Sequence, residues 1–220
     1  MNKKVGVLLS GCGVFDGTEI HEAVLTLLFL DRAGASVVCM APDMDQLHVI
    51  DHLTQQITDE RRNVLVESAR IARGDVKEID AVHADDIDAL IIPGGFGAAK
   101  NLSDFAVNGP DAQVHRGVQR LLEEMIQRSK PIGALCIAPA TLVRALARRS
   151  PRVTIGNDDG TASAIAAMGG SHAACGVEDI CVDDANRIVT TPAYMLGPGI
   201  KDVAVGIERL VHKVLSLVGD

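Results

Sequence analysis

Short apolar runs that alternate with stretches of helical periodicity are the feature that most constrains the fold of this chain. The runs are of strand length: KVGVLLS (4–10), ASVVCMA (35–41), ALIIP (89–93), PIGALC (131–136), RVTI (152–155), DICVD (179–183) and RIVTT (187–191). The stretches between them predict helices at about 18–34, 60–73, 111–129, 138–149, 161–169 and 199–218. Strand and helix in this rhythm predict an α/β fold with a mostly parallel central sheet.

The first predicted helix, 18–34, shows the pattern most clearly. Thr18 is a plausible N-cap and Gly34 a plausible end. Ile20, Val24, Leu27 and Leu28 fall on one stripe of the helical wheel, which predicts the face that packs on the sheet. At 220 residues the chain is expected to be a single domain.

Composition narrows the class of protein and its partners. Hydrophobic residues make up 47% of the chain, yet there is no Trp and only one Tyr, so the core must be aliphatic, as in a sheet buried on both faces. A net charge of -8 without a basic stripe argues against nucleic acid as a partner. No apolar segment is long enough for a membrane span, and the N-terminal apolar run is too short for a signal peptide.

The five cysteines are odd in number and form no CxxC pair. They stand at Cys12, Cys39, Cys136, Cys175 and Cys181. This usage is typical of a reduced protein, and we expect a cytoplasmic one.

Ligands of open parallel sheets bind beyond the carboxyl ends of the strands, so the loops after the strands are the candidate sites. Three of these loops stand out by composition: SGCGVFDG, PGGFGAAKN and LCIAPA. The third passes from a strand directly into a helix at Cys136, with Pro139 in the first turn.

Cys136 lies in the pattern small-x-nucleophile-x-small, with Ala134 and Ala138 at the small positions. This resembles the nucleophile elbow G-x-S-x-G, with alanine in place of both glycines. The positive end of the following helix would lower the thiol pKa toward the thiolate. The alternative is a cysteine that packs as a small hydrophobic residue at the end of a buried strand.

Two further elements fit a nucleophile at Cys136. PGGFG supplies backbone N–H groups without obstructing side chains. The amides of Gly95 and Ile137 could therefore form an oxyanion hole. The alternative is an ordinary tight turn, since glycine pairs are common after strands. Glu22 lies at the edge of an apolar stripe, where partial burial would raise its pKa and let it share a proton with a thiol. The alternative is a solvated first-turn acid, the role expected for Glu19.

The motifs SGCGVFDGTEIHEA, PGGFGAAKNLSDFA, GALCIAPA and TTPAYM, in this order, resemble the ElbB group. This group, also called sigma cross-reacting protein or isoprenoid biosynthesis protein with an amidotransferase-like domain, belongs to the ThiJ/PfpI branch of the class I glutamine amidotransferase-like superfamily. The resemblance covers essentially the whole chain. It implies one domain over residues 1–220 with a flavodoxin-like three-layer sandwich.

The resemblance also implies the site. It assigns the nucleophile to Cys136, its acid partner to Glu22 and the oxyanion hole to Gly95 and Ile137. Counting back from DRAG (31–34) selects Glu22 over Glu19. Similar members are associated with cofactor-free glyoxalase III-type chemistry, and homodimers are usual in the branch.

The chain departs from its relatives at Ile137, where PfpI-type peptidases carry a His directly after the nucleophile, and it lacks the HPE of glutamine amidotransferases. Without that imidazole, hydrolysis of an amide lacks its general acid and base. A thiolate and a carboxyl group suffice to convert glyoxal or methylglyoxal to glycolate or lactate, without a metal or other cofactor. Four further residues could assist this chemistry: Gly94, Cys12, Tyr194 and His172.

Three other interpretations remain open. His48 and His52 could face one side of a helix and bind a metal, although no third ligand is evident. GCGVFDG with Asp43 approaches a dinucleotide fingerprint, but Asp16 and Glu19 would repel a pyrophosphate. Finally, the protein could be a redox-responsive or stress-responsive regulator, for example of isoprenoid metabolism, with Cys136 as its sensor.

Overall fold

A computed structural model describes residues 3–219, in which strands and helices alternate along the chain. The strands are β1 Lys4–Leu8, β2 Ser36–Ala41, β3 Ile50–Asp51, β4 Gln56–Ile57, β5 Lys77–Glu78, β6 Ala89–Ile92, β7 Ile132–Leu135, β8 Arg152–Val153, β9 Ser171–His172, β10 Cys181–Asp183 and β11 Ile188–Thr191. The helices are α1 Ile20–Arg32, α2 Val64–Ile71, α3 Phe96–Lys100, α4 Phe105–Asn108, α5 Arg116–Gln127, α6 Ala138–Ala145, α7 Asp159–Ala167 and α8 Ile200–Leu217.

Seven strands form one central sheet in the order β10-β11-β7-β6-β1-β2-β5. All neighbouring pairs are parallel except β10 and β11, which are antiparallel at one edge. The central strands β1, β6 and β7 are almost entirely buried, as expected for short runs of aliphatic residues covered on both faces.

Helices cover both faces of the sheet and produce three layers. One apolar cluster joins the sheet to α1, α2 and α8, and the other joins it to α3, α5, α6 and α7. The predicted α/β fold, a flavodoxin-like three-layer sandwich with a mostly parallel sheet, is confirmed. None of the helices in residues 3–219 is both long and apolar enough to cross a membrane.

Some predicted elements differ in extent or in place. RVTI does not join the central sheet, since only Arg152–Val153 is a strand and it pairs with β9 in a separate two-stranded sheet. The two-residue strands β3, β4, β5 and β9 were outside the prediction, because two residues are too few to produce a periodic pattern.

The start of α1 differs from the prediction. Thr18 is not the N-cap: its hydroxyl accepts a hydrogen bond from the Ser10 amide (2.7 Å) and ties the loop to the end of β1. The cap is Glu19, whose carboxylate accepts a hydrogen bond from the Glu22 amide (2.7 Å). Glu19 is only 8% exposed, so the expectation of a solvated acid at this position is wrong.

The orientation of α1 also differs from the prediction. Ile20, Val24 and Leu28 are 42%, 49% and 38% exposed, so three of the four residues of the expected core stripe face outward. The fourth, Leu27, is half-buried against the core. The buried face consists of Glu22, Ala23, Thr26, Phe29 and Leu30. The wheel pattern misled because α1 is apolar around most of its circumference, and such a pattern does not identify the buried side.

Candidate active site

The loops after β1, β6 and β7 meet at one edge of the central sheet. The Glu19 amide donates to the carbonyl of Gly94 (2.9 Å), and the Gly97 amide donates to the carbonyl of Gly17 (2.8 Å). These bonds fix the loop after β6 against the start of α1. Beside them lies Cys136, at the end of the adjacent strand β7. This is the position at which open parallel sheets bind ligands.

Cys136 occupies the tight turn between β7 and α6. Its φ is +58°, a left-handed value that is uncommon for a residue with a Cβ. Its amide donates to the Thr191 carbonyl (3.0 Å), which fixes the turn to β11. The side chain is buried, and its sulfur accepts hydrogen bonds from the backbone amides of Gly95 and Ile137. This backbone geometry is typical of a nucleophile elbow.

Glu22 lies against the same sulfur and is completely buried. Oε2 of its carboxyl accepts a hydrogen bond from the Gly94 amide (2.8 Å), and Oε1 accepts one from the Tyr194 amide (3.2 Å). The two oxygens are therefore fixed from opposite sides of the site, by the loop after β6 and the turn after β11. A proton can pass between the carboxyl group and the thiol without movement of the backbone.

Burial dominates the protonation of both groups. It raises the pKa of Glu22 to about 8, with a further contribution from the Glu19 charge, while hydrogen bonds from Tyr194, Gly94 and Cys136 act in the opposite direction. Burial and the Glu22 charge raise the pKa of the Cys136 thiol well above its ordinary value, against the opposing amides of Gly95 and Ile137. The expected lowering of the thiol pKa by the helix terminus is wrong, because desolvation outweighs the dipole. At neutral pH both groups are mainly protonated.

The two glycines after β6 allow this close approach. A Cβ on Gly94 would lie 2.4 Å from the Cβ of Cys136 and 2.7 Å from Oε2 of Glu22, so no side chain fits between the thiol and the carboxyl group. Gly95 has a φ of +94°, and a Cβ there would lie 2.3 Å from the Glu19 amide nitrogen. Gly94 therefore joins the site as a donor to Glu22, and Gly95 as a donor to the sulfur.

Tyr194, one of the accessory candidates, brings His21 to the site, a residue that sequence reasoning missed. Its hydroxyl is 2.8 Å from Nδ1 of His21, and the two rings lie 5.8 Å apart. His21 is half-exposed and lies 3.9 Å from Oε1 of Glu19. His21 and Tyr194 are 173 residues apart, so no local pattern could pair them. The sequence signal for His21 was only its place beside Glu22.

The other two accessory candidates lie elsewhere. Cys12 is half-buried near Glu67 and Arg70 of α2, and burial raises the pKa of its thiol. His172 is on β9, paired with Val153, and its Nε2 is buried without a hydrogen-bond partner in the described part of the chain. Between residues 3 and 219, no hydrogen bond or ion pair joins either side chain to Cys136.

Most of the groups considered for a metal or a dinucleotide have structural partners, whereas Nδ1 of His48 is buried without a hydrogen-bond partner among residues 3–219. His48 and His52 do not share a helix face, since they flank β3, and both ring nitrogens of His52 are within hydrogen-bond distance of backbone groups. Asp16 is buried and its carboxylate accepts from the Ile50 amide (2.7 Å), while Asp43 accepts from the Asn63 side chain. Among the described residues, no three His, Cys, Asp or Glu side chains are grouped as metal ligands.

Curated relatives align with nearly the whole chain. A human (Homo sapiens) protein named glutamine amidotransferase-like class 1 domain-containing protein 3, mitochondrial, is 48% identical over 226 residues. A rat (Rattus norvegicus) protein named ES1 protein homolog, mitochondrial, is 46% identical. Each alignment covers 98% of this chain and 84% of the relative.

The names of these relatives contradict the prediction of a cytoplasmic protein, since both are named as mitochondrial. That prediction rested on unpaired cysteines, and the structure leaves all five free. Free cysteines argue against an oxidising compartment, but they do not distinguish one reducing compartment from another.

Structural and family comparisons agree with the fold. A crystal structure of an isoprenoid biosynthesis protein with an amidotransferase-like domain from Ehrlichia chaffeensis has a TM-score of 0.92 and 39% sequence identity, and covers 98% of this chain and 99% of that one. The sequence profile of the DJ-1/PfpI family matches residues 8–195, which include Cys136, Glu22 and Gly94. The match over most of the chain shows that the protein belongs to the DJ-1/PfpI family.

Proposed function

We propose that this protein is a cofactor-independent glyoxalase of the glyoxalase III type, which converts glyoxal to glycolate or methylglyoxal to lactate with water. The observation that carries the proposal is the contact between two buried groups, the Cys136 thiol and the Glu22 carboxyl, under the amides of Gly95 and Ile137. A nucleophile, a proton carrier and two hydrogen-bond donors are what the isomerisation of a dicarbonyl requires.

The reaction begins with addition to the aldehyde. Sγ of Cys136 bonds to the aldehyde carbon while its proton passes to the ionised Glu22 carboxylate. The negative charge moves to the former carbonyl oxygen, which the amides of Gly95 and Ile137 stabilise. Glu22 then returns the proton to that oxygen, which leaves a neutral hemithioacetal and a carboxylate.

The same carboxylate next acts as a base. Glu22 removes the hydrogen from the carbon that carries sulfur, and the electron pair of that C–H bond forms a C=C bond as the neighbouring carbonyl becomes the oxyanion of an enediolate. Glu22 delivers the same proton to the second carbon, and the hydroxyl proton of the first carbon passes to the second oxygen, which restores a C=O bond beside the sulfur and yields a 2-hydroxyacyl thioester. Water cleaves the carbon–sulfur bond, and the hydroxy acid leaves as the thiol is restored.

Other activities of the superfamily fit the site less well. Ile137 leaves the sulfur without an adjacent imidazole, which weakens a peptidase or an amidotransferase, since an amide leaving group must be protonated. A redox sensor requires an accessible thiol of low pKa, whereas burial raises the pKa of Cys136. The enzyme is therefore the function that the geometry supports best.

The proposal extends to the subgroup and the assembly of the protein. We assign it to the ElbB group, which the likeness to the Ehrlichia chaffeensis protein supports. A single central sheet with strands from Lys4 to Thr191 supports one amidotransferase-like domain over residues 1–220. The exposed apolar residues Ile20, Val24 and Leu28 of α1 support a homodimer.

The first test is formation of product by the purified protein. Incubation with glyoxal, and separately with methylglyoxal, is expected to yield glycolate and lactate without any added cofactor, as followed by proton NMR. The control is Cys175→Ala, which removes a half-buried thiol that is hydrogen-bonded to the Thr154 hydroxyl. This variant should retain full activity. If neither acid formed above the protein-free rate, the proposal would be wrong.

The rate should rise with pH. Glu22 must be ionised to accept the thiol proton, and its pKa is raised to about 8. We therefore expect the initial rate to increase about tenfold per pH unit below pH 8 and to level off above it. Initial rates are measured from pH 6 to 9, with the rate of the protein-free reaction subtracted. Rates that stayed flat or fell with pH would contradict this assignment.

A further inference from the structure

A cavity lies at the opposite end of α6 from Cys136. It has a volume of about 700 Å³ and lies between α5, the end of α6 and the turn at 147–149. Cys136 precedes the first turn of this eight-residue helix and Arg144 is in its last turn, so roughly 12 Å of helix separates the cavity from the nucleophile. The cavity is thus distinct from the proposed active site.

The charged residues that line this cavity are mainly basic. Arg144, Arg148 and Arg149 line it together with one carboxylate, Glu123. The Glu123 carboxylate accepts a hydrogen bond from the side-chain amide of Gln119. The cavity thus carries an excess of positive charge in a chain of net charge -8.

Among residues 3–219, the three guanidinium groups have no acidic partner. Nε of Arg144 donates to the Ala112 carbonyl, which anchors this side chain at the edge of the cavity. No ion pair of Arg144, Arg148 or Arg149 occurs anywhere in residues 3–219. The carbonyl of Ala145, at the negative end of α6, is satisfied by Gln119 (2.8 Å). Unpaired guanidinium groups bind phosphate and carboxylate through paired N–H donors.

We propose that this cavity binds a small organic anion that carries phosphate or carboxylate groups. Its volume is within the range of small-molecule sites. The polar lining, with Gln113 and Gln127 beside the arginines, suits a hydrophilic ligand that can accept several hydrogen bonds. Because the cavity is separate from Cys136, binding there does not depend on the proposed glyoxalase activity.

The test is isothermal titration of the whole protein at low salt with inorganic pyrophosphate and, separately, with citrate. We expect saturable binding of at least one anion at one site per chain. Pyrophosphate alone would identify a phosphate ligand, and citrate alone a carboxylate ligand. The double substitution Arg148→Gln with Arg149→Gln should weaken binding at least about tenfold, since each removes charge-assisted hydrogen bonds. Both side chains are exposed, so the fold should persist.

The matched control is Arg116→Gln, an exposed arginine at the start of α5 that does not line the cavity, and it should bind as the unaltered protein does. Sodium chloride at equal ionic strength separates site binding from general screening. The proposal is overturned if neither anion binds saturably, or if the double variant binds as tightly as the control.

Discussion

The Cys136→Ala protein is expected to form hydroxy acid from glyoxal no faster than a solution without protein. In the proposed mechanism the sulfur is the atom that bonds to the substrate, and no other thiol is hydrogen-bonded to the Gly95 and Ile137 amides within the described residues. Loss of a nucleophile of this kind lowers turnover by at least about a thousandfold. The measurement is the initial rate of glycolate formation under the conditions used for the unaltered protein.

The fold of this variant should persist, which makes the result interpretable. Alanine must adopt the same left-handed φ of +58° as cysteine does, so the backbone strain is unchanged. Removing one buried sulfur atom lowers the free energy of unfolding by about 1 kcal/mol. The melting temperature of Cys136→Ala, measured beside that of Cys175→Ala, would verify that the fold persists. An intact Cys136→Ala protein that still made acid at the normal rate would exclude the hemithioacetal route.

The sequence predicted the central sheet well because its strands are runs of buried aliphatic residues. β1, β2, β6 and β7 were located from such runs alone, and their parallel order followed from the intervening helices. The orientation of α1 could not be predicted in the same way. Its exposed face is as apolar as its buried face, so the side that packs is decided by tertiary contacts.

The candidate site was predictable where its parts are contiguous motifs. Cys136 and the glycines at 94–95 follow strands directly, so local sequence sufficed to select them. The state of protonation was not predictable, because desolvation depends on how deeply a group is buried, and sequence does not state this. The His21–Tyr194 contact joins residues that are 173 positions apart in the sequence, so it depends on the folded topology.

The Glu22→Gln protein should show opposite changes in turnover and in thiol reactivity. An amide cannot carry a proton between the two substrate carbons, so glycolate formation should fall about a hundredfold or more. The Glu22 charge raises the pKa of Cys136, so its loss should lower the thiol pKa and speed alkylation by iodoacetamide at pH 9, where Glu22 is otherwise ionised. Both rates are measured on the same preparation.

These opposite changes distinguish proton transfer from packing. Glutamine has the size of glutamate, but only one oxygen remains to accept from the amides of Gly94 and Tyr194, so one buried N–H loses its partner at a cost of about 1–3 kcal/mol. If that loss merely disordered the site, turnover and the protection of the thiol from alkylation would both fall, in proportion to the fall in stability. A Glu22→Gln protein that melts near the normal temperature, alkylates faster and still turns over glyoxal would show that Glu22 tunes the thiol without moving the proton. Slow turnover with fast alkylation, in a protein that melts near the normal temperature, requires the carboxyl group as the acid and base, because the site is then intact and the sulfur more reactive while turnover is still lost.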